Sequence, residues 1–163
     1  MVIAFTGPPC AGKSTIAAAV ARRLNVPHLS MDATRRRLLP GAAHSRDDRA
    51  VAYRAMQWAA EMLRDVVLDA PYGHEEDRAG LDRLRAVIVE CRVSPDSAAR
   101  RFRERGPDPE QPDLTEDEVR RRAEDWQYRG GALVLDTDAL TAEEAVARVL
   151  SGLEDRATEP RSL

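Results

Sequence analysis

Gly7-Pro8-Pro9-Cys10-Ala11-Gly12-Lys13-Ser14 decides the reading of this 163-residue chain. The stretch fits G-x-x-x-x-G-K-[ST], with Thr15 directly after it. Just before it, Val2-Ile3-Ala4-Phe5 is a short apolar run bounded by glycine and proline, the pattern of a buried strand. Just after it, Ile16, Ala17, Val20 and Leu24 share one face at helical spacing. A strand feeding a glycine-rich turn into a helix N-terminus is the setting in which such a loop binds phosphate. Glycines let consecutive backbone N–H groups point into one concavity, and the helix end adds partial positive charge. In that setting Lys13 reaches the β- and γ-phosphates of ATP, and the Ser14 hydroxyl ligates Mg²⁺. Thr15 then supports Ser14 or meets the α-phosphate. The competing reading is a chance glycine-rich turn, and the flanking strand and helix weigh against it.

The same alternation continues along the chain. Val26 to Leu29, Val66-Val67-Leu68, Ala86-Val87-Ile88-Val89 and Leu133-Val134-Leu135 read as further strands. Helical patterns cover 13–24, 47–63, 75–85, 94–105, 115–128 and 141–153. Ser94-Pro95 and Thr115 signal helix starts, and Thr141 with Glu144 has capping-box spacing. Apolar strands alternating with helices predict a doubly wound α/β domain, its parallel sheet covered on both faces. One phosphate-loop domain over 1–154 and a polar tail over 155–163 account for the whole length. The prolines between Gly106 and Pro112 predict a mobile surface loop. Trp58 and Trp126 fall within helical patterns, where packing explains both.

Composition excludes several classes. The longest apolar runs fall far short of the ~20 residues a membrane span needs, and no signal peptide precedes the first strand. A net charge of −3 weighs against a general nucleic-acid binder, which carries a basic excess. Aromatics are 4%, so the core must be built from Ala, Val, Leu and Ile. Cys10 and Cys91 lie in the phosphate loop and a buried strand, which argues against a disulfide and for a reducing cytoplasm. Cys10 occupies a variable position of the loop and reads as passive, although a thiol beside a helix N-terminus can have a lowered pKa and be sensitive to oxidation.

The acceptor side starts at His28-Leu29-Ser30-Met31-Asp32-Ala33-Thr34-Arg35. A second strand parallel to the first opens onto the same sheet edge as the phosphate loop, where ligands of such sheets bind. Asp32 is placed there to accept a proton from an attacking hydroxyl, and Arg35, one helical turn on, to hold an acceptor. The alternative is that Asp32 caps the next helix and Arg35 to Arg37 form a solvated face. Val66-Val67-Leu68-Asp69 ends an apolar run in an acid, as a Mg²⁺-holding segment does, or as any strand can. Arg101 and Arg105, four apart, share a helix face and can close over a transferring phosphoryl group. Arg120-Arg121-Arg122 alternates with acids and reads as surface ion pairing. His44, between Pro40 and Asp47, is open to an acceptor-site or a surface role.

The phosphate loop, the S-x-D-x-x-R of Ser30, Asp32 and Arg35, and the run ending in Asp69 together resemble the small P-loop kinases. That group includes the polynucleotide 5′-kinase domain, zeta-toxin type kinases, chloramphenicol phosphotransferase and gluconate kinase. The resemblance spans residues 1 to about 153 and implies strand order 2-3-1-4-5 with a helical lid. It implies Asp32 as general base, Arg35 on the acceptor-side phosphate, and Arg101 and Arg105 as lid arginines. It further implies Tyr72, His74 and Arg78 in the acceptor pocket and Asp136 or Thr137 near the base or ribose. The expected activity is Mg²⁺-dependent phosphoryl transfer from ATP to a hydroxyl of a small antibiotic-, nucleoside- or sugar-like molecule. A polynucleotide 5′-hydroxyl acceptor, an ATP-binding regulatory switch and a slow ATPase are the alternatives. No pattern in the sequence encodes an oligomeric state.

Overall fold

Val2–Thr6 form the first strand, β1, and all its residues are buried, so the run needs no polar alternation. A computed structural model describes residues 1–41, 45–106, 111 and 114–158. His44, most of the proline-rich segment after Gly106 and residues 159–163 lie outside the described residues, and the expectations for them stay as stated. After β1 come α1 (Lys13–Leu24), β2 (His28–Ser30), α2 (Met31–Leu38), α3 (Arg46–Leu63) and β3 (Val66–Asp69). Then follow α4 (Glu75–Arg83), β4 (Val87–Arg92), α5 (Pro95–Arg105), α6 (Glu116–Glu124), β5 (Leu133–Asp136) and α7 (Ala142–Thr158). The strands form one parallel sheet in the order β2-β3-β1-β4-β5, as expected.

Side chains of a strand alternate between faces, and β1 shows the result. Ile3 and Phe5 enter one core with α1, α5, α6 and α7, alongside Val89 and Cys91 of β4. Val2 and Ala4 enter the other with α3, alongside Val66 and Leu68 of β3. The domain is therefore three-layered, with helices on both faces of the sheet.

The helix starts follow side-chain capping. Ser94 Oγ accepts from the Ser97 amide at 3.3 Å with Pro95 in the first turn, and Thr115 Oγ1 accepts from the Glu118 amide at 3.2 Å. Thr141 and Glu144 cap each other reciprocally, as their spacing predicted. Ser45 and Asp48 make a second capping box, which fixes the start of α3.

Three boundaries and one burial differ from the sequence reading. The second strand is displaced toward α2, because the Val26 amide serves the turn that ends α1, donating to Ala21 O. The helix expected over 115–128 stops at Glu124, and 125–132 run irregularly. The last helix continues to Thr158. Trp58, expected to be packed, is 67% exposed on α3.

Candidate active site

The register places the C-terminal ends of three strands side by side, since Asp69 pairs with both Phe5 and Ser30. The phosphate loop leaves β1 at that edge. Thr6 Oγ1 donates to Pro71 O at 2.7 Å and the Gly7 amide to the same carbonyl at 3.4 Å, tying the loop's base to the segment after β3. Gly7 has φ +143°, and a Cβ there would sit 2.4 Å from the Cys91 carbonyl oxygen. Gly12, at φ +78°, turns the chain into α1.

Gly7→Ala is therefore expected to destabilise the fold. The φ strain and the overlap with β4 backbone each cost about 1–3 kcal/mol. Thermal unfolding should show a lowered Tm, and an unchanged Tm would mean that β1 and β4 can part there without cost.

Inside the loop, Lys13 is buried and its ammonium donates to Pro8 O at 2.7 Å. A cavity of about 140 Å³ opens over it. Lys13, Ser14, Asp32, Asp69 and Arg105 all line that cavity, together with Pro9 and Cys10 of the loop. Ser14 and Thr15 are exposed at the first turn of α1. Asp69 is buried, with His28 Nε2 3.8 Å from its Oδ2, beyond hydrogen-bond range. His28 had no role in the sequence reading, and only the β2–β3 pairing reveals it as the neighbour of Asp69.

Asp32 lies inside the first turn of α2, with Ser30 at the N-cap position, so it does not cap that helix. Its carboxylate is half-buried at the cavity wall. Arg35, one turn on, is only 3% exposed and is not among the lining residues. Arg49 from α3 and Arg122 from α6 line the cavity instead. Neither was given a place at the site in the sequence reading. Arg122 looked like a surface ion-pair residue, and its Nε does bond Glu118 Oε1 at 2.7 Å while it lines the cavity.

The two lid arginines separate. Arg105 faces the cavity, its guanidinium 5.6 Å from the Phe102 ring centroid. Arg101 reaches from α5 to the end of β5, donating to Thr137 Oγ1 at 3.0 Å and to the Thr137 carbonyl. It also donates to Cys10 O at 3.3 Å and stands 3.5 Å from Asp138 Oδ1. One guanidinium thus bridges the lid helix, the phosphate loop and the last strand. Thr137 is buried, its hydroxyl donating to Arg92 O at 2.8 Å, while Asp136 is exposed and accepts from the Asp138 amide at 3.0 Å.

The remaining acceptor-side positions are dispersed. Tyr72 is in the core, its amide donating to Tyr53 Oη at 3.2 Å and the two rings 5.2 Å apart. Burial pushes its phenol well above the ordinary tyrosine value. Arg78 donates to Gly130 O at 3.3 Å, holding α4 to the segment before β5. His74 stands at the N-cap of α4, on the wall of a neighbouring cavity. Burial also disfavours the lowered pKa that the helix end allowed for Cys10. Desolvation raises its pKa and outweighs the lowering by Arg105, Lys13 and Arg101. Cys91 is pushed up to about 12 by burial, and both cysteines are free.

The residues fit a nucleoside triphosphate with Mg²⁺. Lys13 is buried at the first turn of α1 and lines the cavity, which supplies a fixed cation where phosphates would sit. Among the described residues no three His, Cys, Asp or Glu side chains converge to hold a metal alone. Ser14 and Asp69 suit Mg²⁺, which keeps waters and phosphate oxygens as its other ligands. Among the described residues no helix is long and apolar enough to cross a membrane.

Several solved structures share the fold. A gluconokinase from Sinorhizobium meliloti 1021 is 23% identical with TM-score 0.69, the match covering 96% of this chain and 93% of that one. The APS kinase of Mycobacterium tuberculosis, solved with AMPPNP and APS, is 23% identical with TM-score 0.72 over 94% of this chain and 96% of that one. A shikimate kinase from Bacteroides thetaiotaomicron is 22% identical with TM-score 0.71 over 94% and 98%. No curated protein matches the sequence. The family model described as an AAA domain matches residues 2–130, most of the length, so the chain belongs to that AAA domain family and has the fold of the small P-loop kinases.

Proposed function

We propose that the protein transfers the γ-phosphoryl group of ATP, with Mg²⁺, to a hydroxyl of a small molecule. The observation that carries this reading is the single cavity where Lys13, Ser14, Asp32, Asp69 and Arg105 converge. Ser14 and Asp69 would hold Mg²⁺, which when bound neutralises charge on the β- and γ-phosphates. The loop amides and Lys13 fix the phosphates at the N-terminus of α1. Asp32 faces them and takes the proton of the acceptor hydroxyl as its oxygen bonds to the γ-phosphorus. The bond from that phosphorus to the β–γ bridging oxygen breaks, and ADP leaves. Arg105 balances charge spread over the equatorial oxygens. Arg101 positions the lid, since its bonds to Cys10 and Thr137 set how α5 lies over the loop.

The test is transfer of label from γ-labelled ATP with Mg²⁺, offered a pool of small hydroxyl compounds or a 5′-hydroxyl oligonucleotide. Label on a small compound is the expected outcome. Label on the oligonucleotide alone would replace the small acceptor with a nucleic-acid end. ATP binding with no transfer to any acceptor would favour a nucleotide-dependent switch.

A further inference from the structure

One side of α3 is buried and another is bare. Ala52, Tyr53, Met56 and Ala60 face the core, whereas Trp58 and Met62, one turn apart, are 67% and 68% exposed. Leu63 and Met1 are exposed at the C-terminal end of the same helix, where the Met1 amine donates to Arg64 O at 2.8 Å. Single apolar side chains on a surface mean little, but a group of them marks an interaction surface. We propose that this face of α3 pairs with the same face of a second copy of the chain, antiparallel, about a two-fold axis at Trp58.

The residues around Trp58 select that partner. At about 3.6 residues per turn, Arg54 and Glu61 lie roughly 40° and 60° to one side of Trp58. Val51, Ala55 and Met62 lie roughly 20–60° to the other side. The strip is therefore charged along one side and apolar along the other. A two-fold axis between antiparallel helices reverses the chain direction and sets the charged side against the charged side. Arg54, about 6 Å before Trp58 along the helix, then meets the partner's Glu61, about 4.5 Å beyond it. Met62 meets the partner's Ala55 and Val51, and the two indoles meet at the axis. Each off-axis contact is made twice. A parallel pair would instead lay Arg54 against Ala55 and Glu61 against Met62.

Charge agrees with this pairing. Among the described residues neither Arg54 nor Glu61 is answered within its own chain, whereas Arg46 of the same helix pairs with Glu76. Opposite charges so placed fix register and partner. Asp47, also exposed on the strip, joins Glu61 in repelling an anionic lipid surface. Arg49 lies about two and a half turns before Trp58, on the opposite side of the helix, where it lines both cavities. The dimer therefore leaves both cavities open. A contact built on one helix pair belongs to the small class, under about 1,200 Å², so a dissociation constant of about 10–100 μM is expected.

Sedimentation equilibrium of the full chain at low salt, over a range of concentrations, tests the proposal. The parent should pass from monomer to dimer in that range. Arg54→Glu alone and Glu61→Arg alone each set like charges across the axis twice, and each should weaken the dimer at least about 10-fold. An equimolar mixture of the two variants has opposite charges at both places. It should form a heterodimer with an affinity within a few-fold of the parent's. Mixing does not repair a folding defect, and Tm and ATP binding should hold in both variants. A parent that stays monomeric up to about 1 mM, single variants that dimerise like the parent, or a mixture that stays monomeric would overturn the inference. A monomer that instead binds vesicles of phosphatidylcholine and phosphatidylserine, with a shift in Trp58 emission, would overturn it in favour of a membrane.

Discussion

Lys13→Ala is expected to cut phosphoryl transfer by at least about 10²-fold, the scale on which one preorganised charge acts on a transition state. The ammonium is buried at the floor of the cavity and already aligned by Pro8 O at 2.7 Å. No second lysine exists to substitute, and Arg105 approaches from the lid, not from the loop. ATP affinity should fall as well, because the loop amides retain phosphate contacts but lose the charge among them. Initial rates and nucleotide titration on a variant with unchanged Tm make the measurement. A rate within a few-fold of the parent would remove Lys13 from the proposed mechanism.

Asp32→Asn should lower kcat by about 10²–10⁴-fold, the range for loss of a general base, with little effect on the KM for ATP. The amide keeps the size of the side chain in the first turn of α2 and cannot take up the hydroxyl proton. Asp69 lines the same cavity but is buried on the strand between β1 and β2, in the position assigned to Mg²⁺. Asp32→Asn and Asp69→Asn should thus separate, the second showing altered Mg²⁺ dependence. A parental kcat in Asp32→Asn would refute the base, and retained biological activity alongside a dead Lys13→Ala would favour the switch.

The sheet was readable because its signals are local. A short apolar run, a turn and a periodic helix repeat from β1 onward, and the central strands β1 and β3 are buried on both faces. Arg49 and Arg122 were not readable, because their place at the cavity comes from how α3 and α6 pack against the phosphate loop. In sequence, Arg49 is one charge in a generic helix and Arg122 one of three adjacent arginines. Arg35 shows the opposite case. Its spacing from Asp32 was clear, yet α2 turns it into the protein, and motif spacing does not report the rotation of an eight-residue helix. The state of the Cys10 thiol was open in the sequence, because desolvation, a tertiary effect, competes with the helix-end field that sequence position suggests. Trp58 is exposed because α3 shows the core only Ala52, Tyr53, Met56 and Ala60 on its packed side.

The lone lysine in the phosphate loop makes the molecule's amine chemistry sparse. Apart from the N-terminus, acylating reagents and lysine-modifying enzymes find one target, and it is sequestered under the loop. Amine-directed labelling marks the outer surface at the N-terminus alone, so the extent of reaction at Lys13 becomes a footprint of nucleotide occupancy. An acyl group installed there would remove the charge of the donor site in one step, without touching any other side-chain amine.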